Sequence, residues 1–163
     1  MKLYYSPGAC SLSPNIALHE SGLKFEHVVA PIRTHLLEDG TDYYGINPLG
    51  YVPLLELDDG TRLTEGPAIV QYIADQAPGK QLAPANGTVA RAQLQVSVAD
   101  PYLFTVTNWA PRVGVDISAL ASLAAFRERV AARPAVQAAM KEEGLIQDQP
   151  PATQPLHNLI QEI

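Results

Sequence analysis

One cysteine, one tryptophan and three phenylalanines are all that 163 residues supply of these types. With Cys10 alone, an internal disulfide is excluded. The four histidines (His19, His27, His35, His157) show no metal-ligand spacing with that cysteine or with one another, so neither a disulfide scaffold nor a metal site is expected. No apolar run approaches the roughly 18 residues of a spanning helix, and MKLYY runs into a strand-like segment rather than the apolar core of a secretory signal. No membrane partner is expected, and the default location is the cytoplasm. Basic residues are also in deficit: the net charge is −6, with the acid excess concentrated in residues 1–83, which argues against a nucleic-acid partner.

What is present is the composition of a globular chain, 47% hydrophobic and 17% charged, long enough for one domain or two small ones. Residues 2–5 read as a short strand. Ser13-Pro14 then supplies a cap and a first-turn proline for a helix ending near Gly22. A second strand is expected at residues 25–30, followed by a loop rich in turn signals. Tyr51 to Leu57 and Thr61 to Leu63 flank Asp58-Asp59-Gly60 as a hairpin, and Pro67 opens a helix to about Ala77. The segment APGKQLAPANG breaks the pattern and predicts a linker. Beyond it the signal is helical. Val98, Tyr102, Val106 and Trp109 fall at helical spacing behind a capping-box-like Ser97 and Asp100. Residues 118–133 form an alanine-rich helix in which Leu123, Phe126 and Val130 share a face, and Pro134 starts another to about Met140. Three prolines make the final stretch irregular.

Cys10 sits in the turn before the first helix. A lone cysteine is often a buried core residue, but unpaired N–H groups at a helix start favour thiolate and predict a lowered pKa and a reactive sulfur. Any disulfide it forms must then be with an external thiol, and glutathione is the commonest small one in the cytosol. Ser13 reads as a cap, and Ser11 either as a turn hydrogen bond or as a contact to a ligand's sulfur. Glu65, at the head of the helix after the hairpin, either complements the dipole or binds an ammonium while neighbouring N–H groups bind a carboxylate. Tyr51-Val52-Pro53 reads either as an edge-strand start or as a backbone edge on which a peptide ligand pairs. One ligand, a small peptide thiol, would satisfy all three places.

The segments YYSPGACSLSPNIAL, INPLGYVPLLELDDG, LTEGPAIVQYIAD and SVADPYLFTVTNW resemble the bacterial beta-class glutathione transferases, continuously over residues 1–95 and again over 96–146. The resemblance implies an α/β thioredoxin-like glutathione-binding domain at 1–78, a linker at 79–87, a shortened all-α domain at 88–146 and a proline-containing tail at 147–163. It further implies that Cys10 and Ser11 are catalytic, with Cys10 contacting glutathione or forming a mixed disulfide with it. Val52, ahead of a cis-Pro53, would pair with the peptide backbone, and Glu65 and Gly66 would hold the γ-glutamyl group. Tyr5, His35 and Tyr51 complete the implied glutathione site. His35 replaces a lysine common in the family, and a mostly neutral imidazole is the weaker carboxylate partner. Ser97 and Asp100 would carry the family's capping box.

ARAQLQ runs almost directly into VSVADPYLF, so most of the antiparallel helix pair that in the family lines the electrophile pocket and builds the dimer interface is missing. The implied function is transfer of the glutathione sulfur to an electrophile, as in detoxification, or its exchange with disulfides. The alternative is a catalytically weak or inactive binding protein that keeps the fold. Glutathione is the expected co-substrate, and any homodimer is expected to be weaker than the family's or differently built.

Overall fold

A computed structural model describes residues 1–92 and 99–146. The expected Ser97 cap, the Val98 face position and the 147–163 tail lie outside the described residues. Strand β1 (Lys2–Tyr5) leads through a turn into helix α1 (Leu12–Ser21), then β2 (Glu26–Val29), β3 (Leu54–Glu56), β4 (Arg62–Thr64) and helix α2 (Gly66–Gln76). Helices α3 (Val89–Ala92), α4 (Ala99–Thr107), α5 (Ala121–Ala131) and α6 (Pro134–Glu142) follow. The sheet order is β2-β1-β3-β4. β1 and β2 are parallel, Leu3 facing His27, whereas β3 runs antiparallel to both β1 and β4. This is the expected thioredoxin-like arrangement with an all-helical remainder. Among the described residues, no helix is long and apolar enough to cross a membrane.

The strand period of two divides the sheet cleanly. Leu3, Tyr5 and Leu55 point to the face covered by Ala17 and Leu18 of α1 and by Ile69, Val70 and Ile73 of α2. Tyr4 and Leu54 point to the opposite face, where Ala30, Tyr43 and Val52 close over them. Helix α1 is buried along nearly its whole length because its other side, Leu12 and Ile16, packs on Phe104, Val130, Val136 and Ala139 of the later helices. A helix covered on both sides needs few polar positions, and Ser13 and Asn15 are buried with the rest. Each large apolar side chain removed from water contributes roughly 1.5–3 kcal/mol, so this contact holds the helical part against α1.

One local expectation is corrected. The first helix begins at Leu12, which puts Ser13 inside its first turn rather than at the cap, with its buried hydroxyl unpartnered. The turn Ala9-Cys10-Ser11 is already hydrogen-bonded in helical fashion, Leu12 N to Ala9 O and Ser13 N to Cys10 O, so the helix nucleates ahead of its proline. On α4 the buried face is Pro101, Phe104 and Thr105, whereas Tyr102 and Leu103 are exposed. The positions Tyr102, Val106 and Trp109, expected at helical spacing, are thus not the buried face, and Tyr102 and Trp109 line a cleft. Gly22, expected to end α1, does so in the left-handed region at φ 72°, its N–H reaching the Leu18 carbonyl.

Candidate active-site cleft

A cleft of about 650 Å³ opens beside Cys10. One wall is built from the ends of sheet elements: Cys10, Tyr51, Val52, Pro53, Glu65 and Gly66. The Val52–Pro53 peptide bond is cis, and Val52 delivers its carbonyl to the Cys10 thiol, whose Sγ lies 3.2 Å away. The strand approach to this bond is fixed from behind, where Tyr43 Oη and Asn47 Nδ2 both donate to the Tyr51 carbonyl, at 2.9 and 2.7 Å. Glu65 stands at the N-terminus of α2 at φ 70°, a backbone region few side chains adopt, and its carboxylate makes no capping bond. Glu65 is among the residues that line the cleft.

The opposite wall comes from Tyr102 of α4 and from Trp109, Arg112 and Val113 in and before the 3-10 turn Ala110–Val113. Among the described residues of this lining, Arg112 is the cation and Glu65 the carboxylate. The expected absence of the family's helix pair therefore does not leave the cleft without a second wall. Tyr102, Trp109, Arg112 and Val113 were missed as site residues because a helix-period pattern distinguishes apolar from polar faces but not a core face from a cleft face.

The turn that carries Cys10 is gripped by the helical part. Gly8 donates its N–H to Glu143 Oε2 at 2.8 Å, and its carbonyl accepts the Trp109 indole N–H at 2.9 Å. Glu143 Oε1 also accepts from Asn15 Nδ2 at 3.1 Å. Gly8 has φ 69°, and a Cβ there would fall 3.0 Å from the Arg112 guanidinium, so both conformation and space call for glycine. Glu143 is 3% exposed, and burial pushes its carboxyl up to about 7, against the two hydrogen bonds that favour the ionised form.

The thiol itself departs from expectation. Cys10 is partly buried, and desolvation raises its pKa above the ordinary value; the N–H groups of Cys10 and Ser11 act in the opposite direction without overcoming it. The helix start alone favours thiolate, but burial, which no local pattern of residues shows, outweighs it.

Three expected site residues stand apart from the cleft lining. Ser11 is fully buried, its hydroxyl donating to the Ser6 carbonyl and accepting the Ser6 N–H, both at 3.2 Å, which is the turn role of its two readings. Tyr5 lies under the helical part, its hydroxyl 3.5 Å from the Glu142 carbonyl. His35 packs on the Tyr44 ring with centroids 4.4 Å apart.

Comparison with known proteins agrees with this geometry. The family "Glutathione S-transferase, N-terminal domain" matches residues 8–76. Glutathione S-transferase GstA of Escherichia coli O157:H7 is 38% identical over 200 positions, covering 89% of this chain and 100% of the relative. Since 200 aligned positions exceed 163 residues, the relative carries a segment with no counterpart here. Among solved structures, a bacterial beta-class glutathione S-transferase from Sphingomonas chungbukensis superposes with a TM-score of 0.84 at 38% identity, covering 90% of this chain and all of that one. A sphingomonad glutathione S-transferase complexed with glutathione gives 0.84 at 36%, with the same coverage. A match that spans the full length of such a relative, on a fold that presents a cis-proline and a cysteine to one cleft, settles the family: the chain belongs to the glutathione S-transferases.

Proposed function

We propose that this cleft binds glutathione and passes its sulfur to an electrophile or exchanges it with a disulfide. The observation that carries the reading is the convergence of the Cys10 thiol, the Val52 backbone ahead of cis-Pro53 and the uncapped Glu65 carboxylate on one cleft. Glu65 takes the γ-glutamyl ammonium, and the α2 N-terminus at Gly66 takes its carboxylate. Val52 pairs with the cysteinyl backbone, which sets the glutathione sulfur beside Cys10.

Burial raises the Cys10 pKa, so its S–H, directed here at the Val52 carbonyl, turns to donate to an incoming thiolate rather than leaving a ready nucleophile. Donation to the glutathione sulfur favours loss of its thiol proton to water, and the resulting thiolate attacks the electrophile, forming the C–S bond as the bond to the leaving group breaks and that group departs to water. For disulfide exchange, Cys10 must first lose its proton. It then attacks one sulfur of oxidised glutathione, forming the mixed disulfide and releasing glutathione thiolate. The second wall of Tyr102 and Trp109 offers an aromatic surface for the electrophile.

The protein is read as cytoplasmic, where reduced glutathione is abundant, and as self-associating more weakly than its longer relatives, because the 200-position match leaves a segment of the relative uncovered where the resemblance places the dimer-forming helix pair. Sedimentation at micromolar concentration tests the second point. Calorimetry with glutathione and a conjugation assay on the same preparation test the function. Heat of binding together with turnover is expected, and absence of both at millimolar glutathione would sink the reading.

A further inference from the structure

Outside the cleft, the fold gathers two imidazoles and a carboxylate whose linear spacing predicts nothing. His19 lies in the last turn of α1, His27 on β2, and Glu142 at the C-terminal end of α6. Glu142 Oε2 is 2.8 Å from His19 Nε2 and 2.9 Å from His27 Nε2, and the three ligand atoms are no more than 4.8 Å apart. A fourth polar atom joins them, since Asn15 Oδ1 is 2.9 Å from the same His27 nitrogen. Asn15 is fully buried and its amide nitrogen is committed to Glu143, so its oxygen is the atom that faces His27. One ring nitrogen therefore meets two oxygen acceptors. A single N–H can be directed at only one of them, which leaves an excess of lone pairs at this point.

We propose that His19, His27 and Glu142 bind a divalent transition metal of the zinc type. Two imidazoles and a carboxylate are a zinc donor set, whereas calcium and magnesium take oxygen-rich sites. Four-coordinate zinc with bonds of about 2.0–2.1 Å places its donors roughly 3.3 Å apart. The carboxylate contacts must open by about half an ångström to reach that spacing, a small side-chain adjustment. The side chains are 19%, 22% and 38% exposed, which gives the ion an entry path and leaves the fourth position to water. A metal here would tie α1, β2 and α6 together one residue from Glu143, the group that holds the Cys10 turn.

The test uses the full chain freed of metal by a chelator and titrated with Zn²⁺ alone and, separately, Co²⁺ alone. One equivalent of zinc is expected to bind at micromolar concentration and to raise the thermal midpoint, and cobalt should show the visible bands of a tetrahedral nitrogen and oxygen site. His19→Gln and Glu142→Gln, both at partly exposed positions, should each weaken binding by roughly tenfold or more. His157→Gln and Cys10→Ser should leave the zinc affinity unchanged. No binding at micromolar zinc, or binding unaffected by His19→Gln and Glu142→Gln, overturns the proposal and leaves an ordinary hydrogen-bonded histidine and glutamate cluster.

Discussion

The Gly8 N–H donates across 2.8 Å to the carboxylate of Glu143, a residue 135 positions later in the chain. This bond ties the cysteine turn to the end of α6 and exposes the turn to pH. The folded pKa of Glu143, about 7, lies above its ordinary 4.5. The folded state therefore holds its proton more tightly than the unfolded chain does. Its favourable contribution is fully present below about 4.5 and is lost as pH rises to about 7. The span corresponds to roughly 3 kcal/mol. Denaturant midpoints measured across that window should fall with rising pH for the native sequence and stay flat, as far as this group is concerned, for Glu143→Gln.

Cys10 should react as a thiol with a pKa above the ordinary 9.0. Alkylation of the native protein should be slow at neutral pH and accelerate through the alkaline range, with Cys10→Ala unreactive. A rate already at its plateau near neutral pH would show that the helix start outweighs burial.

Glu65→Gly separates binding from folding. Glycine adopts φ 70° without the strain carried by glutamate there, so the thermal midpoint should hold or rise. Loss of the carboxylate removes a charge-assisted contact of roughly 1.5–3 kcal/mol, and glutathione affinity measured by calorimetry should fall at least tenfold. An equal loss of stability would contradict the assignment.

Trp109→Phe keeps an aromatic wall but removes the N–H that reaches the Gly8 carbonyl. Stability should drop by about 1 kcal/mol. In steady-state assays the KM for an aromatic electrophile should change less than in Trp109→Ala, which deletes the wall as well.

Phe104 is 2% exposed among Leu12, Ile16, Val130 and Val136. Phe104→Ala should cost roughly 3–5 kcal/mol and loosen the helical part from α1. Proteolysis is then expected to remove the later helices first. Equal protection of both parts would mean that other contacts, such as Arg133 to Asp100 and Glu20, carry the docking.

The chain determined its own elements where short-range physics is decisive. The short apolar run LYY and the Asp-Asp-Gly turn after LLEL set strands and a tight hairpin. Gly22 set a helix stop, and Pro67 and Pro134 set helix starts within a residue of where they occur. Part of the cleft was also legible, because Cys10, Val52-Pro53 and Glu65-Gly66 each occupy a turn or helix start whose backbone chemistry can be read locally. Tertiary structure alone decided whatever depends on distance and burial. Ser11 and Ser13 are placed by where α1 begins, and the Cys10 pKa by how much water the helical part excludes. α4 is divided between a core face and a cleft face by residues far upstream, such as Leu12 packed on Phe104. The grip of Glu143 on Gly8 and the meeting of His19, His27 and Glu142 have no trace in spacing. Desolvation and long-range contact are properties of the folded volume, and no local pattern of residues encodes them.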